Sequence, residues 1–144
     1  MSVENNKAIA RRFIQVWGNA NLDVIEELAA PSLIVRYPTI PQVIQSSREF
    51  RHVLAGFRSA FPDSSLRVEE EVAEGDKVAI RWSFAGTHKG TFMGIPPTDK
   101  KVTWTGITIY RIVDGRVVQE QGEEDFAGFF RQVGLIRQNA RNPL

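Results

Sequence analysis

The chain has no cysteine and only two histidines, His52 and His88, among its 144 residues. That scarcity excludes a disulfide framework, thiolate metal sites and a cysteine nucleophile, and it leaves too little imidazole for a His-rich metal centre. An excess of one charge is also missing: eighteen Lys and Arg stand against seventeen Asp and Glu, a formal net charge of +1. Without a basic surplus or a long run of one sign there is no electrostatic footprint for nucleic acid. No apolar run approaches the ~20 residues of a membrane helix, and no repeat, low-complexity tract or Pro/Gly/Ser linker divides the sequence. The expectation is one globular domain over residues 1–144, cytoplasmic, with neither a membrane nor nucleic acid as partner.

What is present is a change of hydrophobic period partway along the chain. Ile9, Phe13, Val16 and Trp17 form the stripe of a first helix that Gly18 stops. Asn21 can cap a short second helix carrying Leu22, Ile25, Leu28 and Ala29, which Pro31 should end. A β-rich stretch runs from Leu33 to Tyr37. Ser46 and Glu49 then fit a capping box ahead of Phe50, Val53, Leu54, Phe57 and Phe61, a third helix with an aromatic face.

Beyond Pro62-Asp63 the period becomes two, and strands are predicted over Leu66–Ala73, Lys77–His88 and Lys101–Ile112, with a final one after Arg116. Asp114-Gly115 is the strongest turn signal and should pair Val113 with Arg116. From Gln121 the helical period returns, with Phe126, Phe129, Phe130 and Val133 before Gly134. Early helices and late antiparallel strands predict an α+β fold in which helices cover one face of a curved, mostly antiparallel sheet.

Extending the Asp114-Gly115 register without interruption sorts the last two strands into faces. Trp104, Thr108, Tyr110 and Ile112 then lie with Val117, Gln119 and Gln121, while Ile107, Ile109 and Arg111 lie with Val118 and Glu120. The face opposite the helices would leave Ile107, Ile109 and Val118 wet, so a homodimer through the sheet is expected.

The stretch Gly86-Thr87-His88-Lys89-Gly90-Thr91-Phe92-Met93-Gly94-Ile95-Pro96-Pro97-Thr98, followed by Gly106-Ile107 and Asp114-Gly115-Arg116-Val117-Val118, resembles the SnoaL-like polyketide cyclase family. The resemblance spans nearly the whole chain. It implies the cone-shaped α+β barrel of nuclear transport factor two, with the sheet wrapped around the N-terminal helices. It also implies cofactor-free chemistry by an acidic residue near the end of the last strand, such as an aldol ring closure. Where the family commonly has Glu-x-Trp, this chain has Gln119-Glu120-Gln121, and Gly122 stands at one position where family members carry the acid. The acid that other members place further along corresponds to Asp125.

Asp125 is therefore the catalytic candidate, and its plain alternative is the N-cap of the last helix. If it is only a cap, the proton carrier is to be sought at Glu123 or Glu120. In a cone, Trp17, Tyr37, Phe57, Phe61, Trp82 and Trp104 could wall a pocket for a small hydrophobic molecule, or simply fill the core. Gln119 and Gln121 could bind oxygens of that ligand, or form a structural network. His88 reads as structural, His52 as solvent-facing, and the Glu69-Glu70-Glu71 and Glu123-Glu124 runs as solvated charge. The function expected is an isomerase- or lyase-like step on a hydrophobic oxygenated substrate; the alternative is a non-catalytic ligand-binding or dimerisation module.

Overall fold

The computed structural model describes residues 2–137. Helix α1 covers Val3–Ile14, where the Ser2 hydroxyl caps the Asn5 amide and Ala10, Phe13 and Ile14 are buried; one 3-10 turn, Gln15–Trp17, extends it. After α2, Val24–Leu28, the edge strand β1 occupies Ala29–Arg36. Helix α3, Ser47–Ala60, starts on the expected cap, the Ser46 hydroxyl accepting from the Glu49 amide at 3.0 Å. The Glu49 carboxylate reaches back one residue further than a capping box requires, to the Gln45 amide. Strands β2 (Ser65–Glu74), β3 (Lys77–Thr87), β4 (Lys101–Val113) and β5 (Arg116–Glu124) follow, and α4 takes Phe126–Gln132.

The sheet order is β1-β5-β4-β3-β2, antiparallel except where β1 lies parallel to β5. The helices pack on one face of this open, curved sheet, and together they make the α+β cone the sequence predicted. The core runs from Phe13, Phe50 and Tyr110 at one end to Phe61, Trp104 and Phe129 at the other, through edge-to-face ring pairs. Among the described residues no helix is long and apolar enough to cross a membrane.

Three local expectations are corrected. Pro31 does not end a helix; it lies inside β1, tolerated because that strand is at the sheet's edge. Residues 121–124 are not helical but complete β5, and the helix begins only at Phe126. The third correction concerns register. Asp114 and Gly115 both take positive φ, as a type I′ turn demands, and Val113 pairs with Arg116 and Ile112 with Val117 as expected. Arg111 then pairs with Gln119, not Val118, so β5 carries a one-residue bulge. Every side chain beyond it changes face. Glu120 turns inward opposite Tyr110, while Gln119 and Gln121 turn outward beside Arg111 and Ile109.

The outer face keeps its apolar residues. Ile107 and Ile109 are 50% and 47% exposed, and Ile109 continues through its neighbour Ala79 to the exposed Val72.

Candidate active site

A cavity of about 380 Å³ opens between α3, the end of β1, the loop after β3 and the β5–α4 junction. Its walls are mostly aromatic and aliphatic, with Trp17, Tyr37, Phe57, Phe92 and Phe126 among the rings, and Thr39, Thr91 and Glu124 as polar groups. Below it a recess of about 20 Å³, room for about one water, is closed by Leu66, Phe84, Trp82 and Trp104. Trp17, Tyr37, Phe57 and Glu124 border both spaces.

Two carboxyls stand in this apolar setting, Glu120 and Glu124, both on the inner face of β5. They are four residues apart, and Gly122 between them has no side chain, so the Tyr37 ring fills the gap. Glu124 accepts a hydrogen bond from Trp104 Nε1 at 3.0 Å. Burial pushes its pKa up to about 7; the Trp104 bond opposes that, and the charges of Glu120 and Glu123 add to it.

Glu120 is fully buried. Its Oε2 accepts from Trp17 Nε1 at 2.7 Å and from the Tyr37 hydroxyl at 2.6 Å. Burial raises its pKa to about 7 as well, against these donors. The Tyr110 hydroxyl and Glu120 Oε1 are buried without a well-formed hydrogen bond, yet near enough for each group to perturb the other's ionisation. Burial and the Glu120 charge hold the Tyr37 and Tyr110 hydroxyls well above the ordinary tyrosine range, so both remain protonated donors. Among the described residues no set of three His, Asp or Glu side chains converges to hold a metal.

The predicted site residues divide. Trp17, Tyr37 and Phe57 line the cavity; Trp82 and Trp104 reach only the recess; Phe61 is fully buried in the core away from both. Gln119 and Gln121 stand on the outer face, carried there by the bulge. Asp125 is exposed and caps α4, its Oδ1 accepting from the Gly128 amide at 2.9 Å; it does not border the cavity. His88 is buried against Phe61, with Nδ1 3.0 Å from the Thr98 hydroxyl, and His52 is exposed, each as read from the sequence.

Glu124 is the residue that sequence reasoning missed, because the Glu-Glu-Asp run looks solvated. The signal available was a two-residue period continuing from Glu120 through Gly122, masked by assigning a helix from Gln121.

The model of the SnoaL-like polyketide cyclase family matches residues 7–133. Nogalonic acid methyl ester cyclase of Streptomyces nogalater is 24% identical over 122 residues, 84% of this chain and 91% of that protein. Aklanonic acid methyl ester cyclase DnrD of Streptomyces peucetius is 24% identical, with 88% of each chain covered. Among solved structures, TsrD of Streptomyces laurentii superposes with a TM-score of 0.83 at 26% identity, covering 94% of this chain and 99% of that one. With its fold, its inward-facing carboxyls and a family match over most of its length, this chain belongs to the SnoaL-like polyketide cyclases.

Proposed function

We propose that the chain binds a hydrophobic, oxygenated small molecule in this cavity and acts on it by cofactor-free acid/base chemistry, with Glu124 as the proton carrier. The observation that carries the reading is a half-buried carboxyl in an aromatic wall, its pKa raised to about 7. A general acid or base is most effective when its pKa lies near the working pH. As carboxylate, Glu124 takes a proton from a carbon beside a carbonyl, and the C–H electron pair becomes an enolate. Attack of that enolate carbon on a second carbonyl in the same molecule forms a carbon–carbon bond, and the alkoxide recovers the proton from Glu124. Protons and electrons balance within one substrate, so isomerisation, cyclisation and aldol-type steps are all open to one carboxyl. Two relatives are named as cyclases of acid methyl esters, which supports the ring-closing version. A cytoplasmic location suits a chain without cysteine.

The test begins with a thermal-shift screen of polycyclic ketones and terpenoids, followed by turnover of any hit. Glu124→Gln should still bind the hit but convert it ~100-fold more slowly or worse. Equal turnover by both proteins would remove Glu124 from the chemistry, and binding without turnover by wild type would favour a ligand-binding module.

A second copy of the chain is proposed to cover the outer sheet face. The row Val72, Ala79, Ile109, with Ile107 beside it, is apolar and wet in a single chain, and the ion pairs Arg81–Glu70 and Arg111–Asp76 flank it with paired charge.

A further inference from the structure

Glu120 does not border the cavity, yet two of the rings that do, Trp17 and Tyr37, are fastened to it. An indole N–H can only donate, so Trp82 Nε1 donates to the Thr108 hydroxyl at 3.0 Å. The Tyr37 hydroxyl gives its proton to Glu120, so in its 2.9 Å contact with Thr108 the threonine must be the donor. A chain of one polarity results, from Trp82 through Thr108 and Tyr37 to Glu120, with Trp17 Nε1 arriving from the other side. Trp17 and Tyr37 meet edge to face, their centroids 5.4 Å apart. Both form walls of the cavity and of the recess, and Trp82 closes the recess.

The same carboxyl shares the inner face of β5 with Glu124. The groups around the pair are accounted for: Trp17, Tyr37 and Tyr110 face Glu120, while Trp104 and the charges of Glu120 and Glu123 act on Glu124. Among the described residues no Lys, Arg or His forms an ion pair with either carboxyl. Two uncompensated carboxyls on one strand face of an apolar interior oppose simultaneous ionisation, and the Glu120 charge acts on Glu124 in that sense.

We propose that Glu120 is the positioning residue of this cavity: it holds Trp17 and Tyr37 in the wall and, from the same strand face, opposes a second negative charge at Glu124. The two carboxyls thereby divide one task. Glu124 meets the ligand, and Glu120 never does. A buried carboxyl is a costly way to anchor two rings, and its second effect, coupling to the acid in the wall, is what a neutral anchor would not supply. The inference builds on the reading of Glu124 as proton carrier, but its test needs no substrate.

The full-length chain, labelled with carbon-13 at Glu carboxyls and nitrogen-15 at indoles, is titrated by NMR as wild type, Glu120→Gln and Glu124→Gln. In wild type the Trp17 indole signal should follow the Glu120 titration and the Trp104 indole the Glu124 titration. Removing Glu120 should lower the Glu124 midpoint by about one pH unit, and removing Glu124 should lower the Glu120 midpoint equally, since coupling between two sites is reciprocal. The Trp17 indole proton should also exchange faster with water in Glu120→Gln. A residue that merely fills space would leave the Glu124 midpoint unmoved, and that result overturns the proposal. Should Glu120→Gln fail to fold, the reciprocal shift in Glu124→Gln decides the matter alone. Absence of turnover would overturn the proton-carrier role and leave this coupling measurable, so the two failures are distinct.

Discussion

The Tyr37 ring occupies the space in which a side chain at position 122 would stand: a Cβ on Gly122 would lie 2.2 Å from Tyr37 Cε1. A phenol ring takes the place of any side chain at this point of β5. Its inward carboxyls sit two residues to either side, at Glu120 and Glu124. Gly122→Ala should therefore displace Tyr37, costing about 1–3 kcal/mol by overpacking. Thermal denaturation measures the loss, and an unchanged melting temperature would mean that the ring has freedom to step aside.

Activity, once a substrate is in hand, should rise with pH through a midpoint of about 7, the value to which burial lifts Glu124. An ordinary carboxyl near 4.5 would leave the rate flat over that range. Glu124→Gln should abolish this limb. A midpoint near 4.5 in wild type would show the carboxyl to be solvated when it works.

Stability should fall as pH rises from about 5 to 8. Glu120 has a pKa near 7 when folded and near the ordinary 4.5 when unfolded, so between those values the native state holds a proton that the unfolded chain has lost. Raising pH through that window favours unfolding, by roughly 3 kcal/mol for Glu120 on the scale of about 1.4 kcal/mol per unit. Asp63, Asp76 and Asp99 act in the opposite sense, held below the usual range by Thr87, Arg111 and Lys89, but their support is lost only at lower pH. The stability maximum should lie on the acid side of neutrality. Glu120→Gln should reduce the slope between pH 5 and 8 and leave the part that Glu124 contributes, as chemical denaturation across that range would reveal.

Asp125→Asn should leave stability almost unchanged, because Asn caps a helix about as well as Asp. Asp125→Ala should cost about 1 kcal/mol through the lost bond to the Gly128 amide. Turnover should be little affected by Asp125→Asn, since the side chain is outside the cavity wall; a ~100-fold loss would restore Asp125 as the proton carrier.

Light scattering at micromolar concentration should give a dimer, and Ile109→Glu should dissociate it by leaving a charge unpaired in an apolar interface. A wild-type monomer would mean that the exposed Ile107 and Ile109 serve some other purpose.

What the sequence revealed was local. The Asp114-Gly115 turn, the Ser46 cap and the aromatic stripe of α3 depend on neighbouring residues alone, and each took the expected form. Trp17, Tyr37 and Phe57 were legible as large rings for the interior, as wall or as core filling alike, and they line the cavity. The bulge was not, since Val117-Val118 offers an equally apolar residue to either face and an inserted residue leaves no mark on such a pair. That single ambiguity moved Gln119 and Gln121 out and Glu120 in, and with it hid Glu124.

The bulge and Gly122 turn out to specify one another. Without the extra residue, the Val113–Arg116 register would carry on regularly and place Gln121, not Gly122, opposite Thr108. That slot is the one the Tyr37 ring has already taken, with no space for even a methyl group. Tyr37 thus acts as a gauge that admits only glycine, and β5 can satisfy it only by slipping one position. The pairing that results puts ionisable oxygen where the regular pairing would have put amides. Composition alone would be the same in either alignment; the difference between an acidic and a neutral interior is decided by which residue a tyrosine just past the end of a neighbouring strand will tolerate beside it.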